Sequence, residues 1–266
     1  MRTKWDEIRL PEDDEAAVWE LFHENSKTTK YDDFLAGAQV EALSGQLIES
    51  LPYEQFPSVE LPAATTPLPV SLDLALRRRA TARALEAAPV SLQDLSTILH
   101  LAYGINRGSE ETPFRRPLRM IPSAGALYPL ELFFHSSHVT GLRAGIYHYN
   151  PVGHNLRLYR PEDKTAEIAA GLVQKTLAVT TSAVIFVSAK LEGATMKYGN
   201  RGYRFVLLEA GHLAQNVNLV ANALGLGCVN IGGYSDRQID DLLALDGLRH
   251  STIYMIGIGR EHEAAR

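Results

Sequence analysis

The apolar positions of this chain fall into short continuous runs and longer helical stripes. The run at 130–134, LELFF, reads as a buried strand interrupted only by Glu131, and 182–188, SAVIFVS, as an almost wholly apolar one. Residues 146–150 and 155–159 form the two strands of a predicted hairpin across 151–154, with Tyr147 and Tyr149 in alternating positions, and further strands are predicted at 228–231 and 252–258. Helical spacing gathers Leu92, Leu95, Ile98, Leu99 and Ala102 into one stripe, opened by Ser91 with Asp94 three residues on and closed by Gly104. Residues 166–178 suggest another helix, and 237–245 a short one started by Ser235 and Asp236. The longest helical pattern opens at 196–205, MKYGNRGYRF, and closes at Gly225 and Gly227. Leu207, Leu208, Gly211, Ala214, Val217, Leu219, Ala221 and Leu224 supply its apolar positions, with Glu209, Gln215, Asn216 and Asn218 as polar residues within it. A helix this apolar is expected to be buried, and Ala210 and Gly211 permit close approach of another helix, in the same chain or in a second subunit. Strands separated by helices of such different length predict an α+β fold.

The N-terminal part reads differently. Acidic residues at 12–15 lead into a helical pattern carrying Ala16, Val18, Trp19 and Phe22, and a mixed segment follows to Ile48. Pro52, Pro57, Pro62, Pro67 and Pro69 then predict an extended strap with no regular element over 51–70. This divides the chain into a helical arm and proline-rich strap, 1–70, and a main domain, 71–266. Within the latter, 106–119 is expected to be a mobile loop and 135–145 a polar connection.

Composition narrows the function classes. With 266 residues, 45% of them hydrophobic and 21% charged, the chain can bury a full core. A net charge of -5 argues against nucleic acid or an anionic membrane as partner, so the cluster Arg77, Arg78, Arg79 and Arg83 needs a local purpose. Guanidinium groups fork around phosphate oxygens and Thr81 could add a hydroxyl to the same anion, although for an arginine run alone a solvated helix face is the commoner outcome. The single cysteine, Cys228, sits in an apolar run and reads as a buried small hydrophobe, in keeping with a reducing cytoplasm. No segment approaches the run of about 20 apolar residues that spans a bilayer, and 1–10 has no signal-peptide core, so a cytoplasmic protein is expected. His135 with His138, and His148 with His154, lack a third ligand at metal-site spacing, so no metal is expected.

The chemistry concentrates at 121–134, IPSAGALYPLELFF. Pro122 fixes one backbone angle, while Ser123, Ala124, Gly125 and Ala126 present almost no bulk, so backbone amides there can approach a flat ligand; tight packing alone is the plainer alternative. Gly232 and Gly233 leave their amides equally unobstructed.

RATARALEAAPVSLQDLSTIL, PSAGALYPLELF, GIYHYNP, KYGNRGYRFVLLEAGHLAQNVNLVANALGLG and IYMIGIGR together resemble the SagB-type, thiazole/oxazole-forming dehydrogenases of the FMN-dependent nitroreductase superfamily. The resemblance covers about 71–260 and weakly includes LFHENSKTTKY near the N-terminus. It implies a three-layer α+β sandwich with a central, mostly antiparallel sheet flanked by helices, in an intertwined homodimer with FMN at two subunit-interface sites. It makes Arg79, Thr81 and Arg83 phosphate and ribityl ligands, with threonine in place of the usual serine, and Arg260 a second phosphate contact. Pro122, Ser123, Ala124, Gly125 and Ala126 would lie beside the isoalloxazine ring, with Gly232 and Gly233 near its N5 edge. Lys197 and Tyr198 match the catalytic pair of azoline-oxidising members, which work with a cyclodehydratase or carrier protein that delivers the substrate. Two other activities stay open: an NAD(P)H-dependent reductase of nitro, quinone or enone acceptors, and a redox-silent scaffold subunit.

Overall fold

The computed structural model describes residues 18–28, 49–112 and 116–261. The chain start, the acidic lead-in at 12–15 with Ala16, and the mixed segment 29–48 lie outside them, as do 113–115 of the predicted loop. The strands are β1 (Ser58–Glu60), β2 (Leu85–Glu86), β3 (Val90–Ser91), β4 (Ile105–Arg107), β5 (Leu118–Arg119), β6 (Leu130–Ser136), β7 (Val139–Thr140), β8 (Gly145–Asn150), β9 (Asn155–Pro161), β10 (Ala183–Lys190), β11 (Gly227–Ile231) and β12 (His250–Glu261). The helices are α1 (Val18–Asn25), α2 (Leu72–Arg78), α3 (Leu92–Tyr103), α4 (Thr165–Gly171), α5 (Thr176–Thr180), α6 (Leu191–Tyr198), α7 (Asn200–Ala223) and α8 (Asp236–Leu243).

The main sheet runs β1-β9-β8-β6-β10-β12-β11 with every neighbouring pair antiparallel, and β2 pairs with the end of β12. Successive side chains of a strand point to opposite faces, and both faces are filled. Ala183, Ile185, Val187 and Ala189 of β10 join the core formed with α3 and α7, while Val184 and Phe186 pack with Ile168 of α4, Ala178 of α5 and Ile239 and Leu243 of α8. The result is a three-layer sandwich. The Ser91 hydroxyl caps α3 by accepting from the Asp94 amide at 3.0 Å, an arrangement worth about 1 kcal/mol.

The structure departs from the periodicity at several places, each time because tertiary pairing outweighs local pattern. The helix expected over 166–178 is broken into α4 and α5, since Val173 donates to the Gly233 carbonyl at 2.9 Å and Leu172 bridges Tyr234. The long pattern opening at 196 is two helices, separated at Gly199, whose φ of 56° no helix accommodates. Lys197 and Tyr198 therefore occupy the last turn of α6 rather than the start of the long helix. The segment expected as a loop is tied at its base, where β4 pairs with β5. The predicted polar connection contributes to β6 and to β7, which pairs in parallel with β3, and His135 is buried and accepts from the Lys164 amide at 3.0 Å. Helix α7 is buried along one face only: Leu207 and Leu208 remain 42% and 59% exposed, and nothing lies within 4 Å of a Cβ placed on Gly211.

The strap, expected to hold no regular element, contains β1, which pairs with β9 just after Pro57, whose carbonyl accepts from the Leu158 amide at 2.9 Å. It is anchored more deeply at Glu131, the one charged position of the central run. The Glu131 carboxylate meets His148 Nε2 and Lys190 Nζ, each at 2.8 Å, and accepts from the Leu51 amide at 3.1 Å. Burial alone would raise this carboxyl; the His148 hydrogen bond and the Lys190 charge outweigh it and hold it at about 2.

Glu131→Gln is expected to cost about 3 kcal/mol, the order lost when one member of a buried ion pair is removed, as read by urea denaturation at neutral pH. The carboxyl stays ionised in the folded chain down to about 2, whereas its ordinary value is 4.5. Its contribution is therefore complete above 4.5 and disappears as pH falls toward 2, and the wild-type and variant stabilities are expected to converge across that window.

Candidate active site

Register brings the small-residue turn and the Lys-Tyr pair together. Leu130 lies opposite Ala189, and Lys190 donates to the Pro129 carbonyl at 2.9 Å, so the start of β6 and the end of β10 share one end of the sheet. The turn enters β6 there and α6 leaves β10 there. Within the turn Gly125, Ala126 and Tyr128 all take left-handed backbone angles, φ 64°, 53° and 46°. For the two non-glycine residues this conformation is costly and needs outside support. Some of it comes from Ser123, whose hydroxyl accepts from the Tyr128 amide at 3.0 Å, and from Tyr128 Oη, which accepts from the Arg119 amide at 3.0 Å.

Lys197 and Tyr198 pack directly over Gly125. A Cβ built there would land on Lys197 Nζ and come within 2.5 Å of Tyr198 Oη. Both side chains are half-buried; the ammonium stands 5.3 Å from the Tyr198 ring centroid, and the ring is set edge-on against Phe205 at 5.1 Å. An amine and a phenol thus converge on one exposed backbone glycine, where both can hydrogen-bond to, and orient, a group lying against the turn.

Behind the turn lies a polar network that the hydrophobic pattern concealed. Glu209 of α7 is 2% exposed, with Tyr103 Oη 3.3 Å from its Oε1. Tyr103 Oη also bonds the Leu130 backbone, to its carbonyl at 3.0 Å and from its amide at 3.1 Å. The buried Arg119 guanidinium stacks 4.1 Å from the Tyr103 ring centroid and donates from Nη2 to the Glu49 carbonyl. Burial pushes the Glu209 carboxyl up to about 7, against the smaller opposing pull of the Ser123 hydroxyl, the Arg119 charge and Tyr103. The signal was present in the sequence: Glu209 falls three residues after Val206 and four before Leu213, on the stripe that α7 buries.

The predicted phosphate ligands sit at the other end of the sheet. Arg260 pairs with Glu86 and Glu261 with Leu85, the Arg83 amide donates to Glu261 Oε1 at 3.0 Å, and the Ala82 amide donates to the Cys228 carbonyl at 2.9 Å. Arg79, Thr81, Arg83 and Arg260 are thereby gathered at one sheet corner, Thr81, Arg83 and Arg260 exposed and Arg79 half-buried. None of these three guanidiniums is in an ion pair among the described residues. Gly232 and Gly233 follow β11 toward the Lys-Tyr end, three strands across from β6; Gly232 faces open space and Gly233 backs onto Val173. From the level of Leu130, opposite Ala189 and Ser251, to Arg260 is nine residues of β12, roughly 30 Å at about 3.3 Å each. The chain therefore unites the turn with Lys197 and Tyr198, and the four phosphate candidates with one another, but not these two groups.

Other singled-out residues serve the core. Burial pushes the Cys228 thiol up to about 12. His154 bonds Ser96 Oγ at 2.8 Å and Tyr149 Oη at 3.1 Å, His148 is spent on Glu131, and no group of three or more His, Cys, Asp or Glu among the described residues is placed to hold a metal. No helix among the described residues is long and apolar enough to cross a membrane.

Comparison with known proteins gives one consistent answer. The model of the Nitroreductase family matches residues 76–260. The nitroreductase homologue MJ1384 of Methanocaldococcus jannaschii is 33% identical over 194 residues, 73% of this chain and 93% of the relative. The microcin B17-processing protein McbC of Escherichia coli is 34% identical over 145 residues, 50% of this chain and 49% of McbC, so the match spans about half of each. Among solved structures, the E. coli microcin synthetase McbBCD complex with truncated pro-MccB17 bound aligns with a TM-score of 0.61 at 21% identity, covering 92% of this chain and 92% of that one. A nitroreductase-like protein of Desulfovibrio desulfuricans in complex with FMN aligns with a TM-score of 0.51 at 19% identity, covering 74% and 90%.

Gly125→Ala is expected to lower stability by about 1–2 kcal/mol from the left-handed backbone alone, and to displace Lys197 and Tyr198. Thermal denaturation reads the first effect. Faster hydrogen exchange of the α6 amides, with α3 unchanged, reads the second.

Proposed function

The chain belongs to the nitroreductase family, and from that premise we propose that it is an FMN-dependent oxidoreductase that converts a thiazoline or oxazoline ring, in a peptide or a carrier-bound intermediate, into the azole. The observation that carries the proposal is the convergence of Lys197 and Tyr198 on Gly125. A plain hydride exchange between nicotinamide and flavin asks for no such amine-phenol pair, whereas aromatising an azoline requires a base at the ring carbon beside the carbonyl. The half-length likeness to McbC, named for microcin B17 processing, supports the same choice.

The residues present fit FMN. Gly125 and Gly232 expose backbone where a flat ring needs close approach, and the guanidiniums of Arg79, Arg83 and Arg260, in no ion pair among the described residues, suit a phosphate dianion and the ribityl chain together with the Thr81 hydroxyl. Pro122, Ser123, Ala124 and Ala126 complete the ring-side surface, and Gly233 the edge near N5. When bound, FMN would supply the hydride acceptor, with oxygen as the final oxidant. The protein does the rest: the turn orients the ring of the substrate, one member of the Lys197–Tyr198 pair takes the proton, and the other holds the charge that results. Proton and hydride leave together as the two hydrogens by which the azole is lighter than the azoline.

Because the ring-side and phosphate-side groups lie at opposite ends of the sheet, a span the short ribityl phosphate tail does not bridge, each site takes its arginines from a second copy of the chain. The uncovered stripe of Leu207, Leu208 and Gly211 on α7 offers the surface for that homodimer. A cyclodehydratase or carrier protein delivers the substrate.

Anaerobic stopped-flow absorbance of the FMN-loaded protein tests the activity. Bleaching by a thiazoline-containing peptide is expected, with Lys197→Met and Tyr198→Phe each retaining FMN while slowing bleaching by about a hundredfold or more. Bleaching by NADPH instead would assign a reductase, and loss of FMN from either variant would remove that residue from catalysis. Arg83→Ala is expected to weaken FMN binding about tenfold or more, the order of a lost charge-assisted hydrogen bond. Mixing Arg83→Ala with Lys197→Met chains is expected to regenerate one wild-type site per mixed dimer.

A further inference from the structure

We propose that Arg116 and Arg119 form a carboxylate-binding subsite beside the small-residue turn, and that its occupant is a carboxylate of the substrate. The second half of the proposal rests on the azoline-oxidising reading; the first half does not. The observation that carries it is a buried guanidinium without an anion. Arg119 of β5 is 5% exposed, and its Nη1 is buried with no hydrogen-bond partner among the described residues. Its Nη2 is committed to the Glu49 carbonyl, and the group lies 4.1 Å from the Tyr103 ring centroid and 5.3 Å from that of Tyr128. Glu131 is held by His148 and Lys190, and Glu209, which shares Tyr103 with Arg119, is in no ion pair among the described residues. A buried charge in this state is costly, and an unsatisfied N–H adds to the cost.

Arg119 is also one wall of a small cavity. Glu49, Ile105, Arg116, Pro117 and Tyr128 complete its lining, around about 220 Å³ of empty space that is partly open to solvent. Thr112 sets the backbone of Arg116 there, its hydroxyl donating to the Arg116 carbonyl at 2.7 Å and accepting from the Arg116 amide at 3.2 Å. Burial disfavours the Arg116 charge, Glu49 supports it and Arg119 opposes it. Two guanidiniums and one carboxylate thus line the cavity, which leaves one positive charge in excess. That balance suits a monoanion, and a phosphate dianion would overshoot it. A carboxylate supplies paired oxygens to guanidinium N–H groups and would relieve both arginines at once. Tyr128 links the cavity to the turn: it lines the first and belongs to the second, where its Oη accepts from the Arg119 amide at 3.0 Å. Tyr128 is three residues from Gly125, a span of at most roughly 11 Å at about 3.8 Å per residue. An acidic side chain or a chain terminus close in sequence to an azoline held against Gly125 is therefore within reach.

The test has two arms. In the first, carboxyl-labelled acetate is titrated into the flavin-free protein at constant ionic strength and followed by the width of its carboxyl NMR line. Saturable broadening is expected, reversed by unlabelled acetate and not by neutral acetamide. Arg116→Gln and Arg119→Met are each expected to weaken binding about tenfold or more, the order of a lost charge-assisted hydrogen bond. Arg119 also supports the turn, so Arg116→Gln decides should Arg119→Met not fold. Absence of saturable binding, which would leave Nη1 to water, or binding untouched by Arg116→Gln, would overturn the subsite; so would binding abolished by Arg83→Ala instead, which would place acetate at the opposite sheet corner. The second arm compares thiazoline peptides in which a flanking Glu is replaced by Gln, or the C-terminal carboxylate by its amide. The replacement that removes the bound carboxylate identifies its source, and is expected to raise KM about tenfold with kcat little changed in wild type and to have no effect in Arg116→Gln. Acetate binding with neither replacement altering KM would overturn the link to substrate. Failure of every peptide to bleach the flavin would remove the azoline reading and the substrate half with it, while the acetate arm still decides the subsite.

Discussion

The central strands are covered on both faces, and that constraint decides where chemistry can happen. Ile185, Phe186 and Val187 of β10 are wholly buried, their backbone is paired to β6 on one side and β12 on the other, and helices close the layers above and below. Nothing polar and reactive survives in such a place unless it is compensated. Function is therefore pushed to the two ends of the sheet. Antiparallel order then sorts the chain between them: β6 starts where β10 stops, so the turn and α6 meet at one end, while β12 finishes beside β2 at the other and carries Arg260 to the Arg79–Arg83 segment. A single copy with this topology holds the two groups of candidate residues apart. On the reading proposed above, a second copy joins them.

Two buried carboxyls show how the same burial leads to opposite protonation. Glu131 and Glu209 lie behind the same strand start and both suffer the desolvation that favours the neutral acid. Glu131 has Lys190 and His148 in direct contact, and the carboxylate wins; it becomes a fixed charge on which the strap is anchored. Glu209 has phenol and hydroxyl neighbours and only a remote guanidinium, so its charge is marginal near neutrality. The first is architecture and cannot titrate near physiological pH. The second can.

Much of the fold was legible from apolar spacing, and its failures have physical causes. Ser91, Leu95, Ile98, Leu99 and Gly104 defined α3 because cap, stripe and terminator all agree locally. The α4–α5 break did not show, because it is made by backbone bonds from Val173 to Gly233, sixty residues away, which no local pattern encodes. β1 was hidden by its prolines, although none falls inside 58–60. At the site, small residues at 123–126 marked the turn, but the opposition of Gly125 to Lys197 and Tyr198 depends on the β6–β10 register. Glu209 was seen only as a polar residue in an apolar helix; its position on the buried stripe carried the information.

The turn and the Lys-Tyr pair behave as one unit because they compete for the same space. Side chains at 197 and 198 occupy the volume that any residue other than glycine at 125 would need, and the left-handed backbone of 125, 126 and 128 is what presents that volume to them. A change on either side alters the other, so their effects cannot be additive.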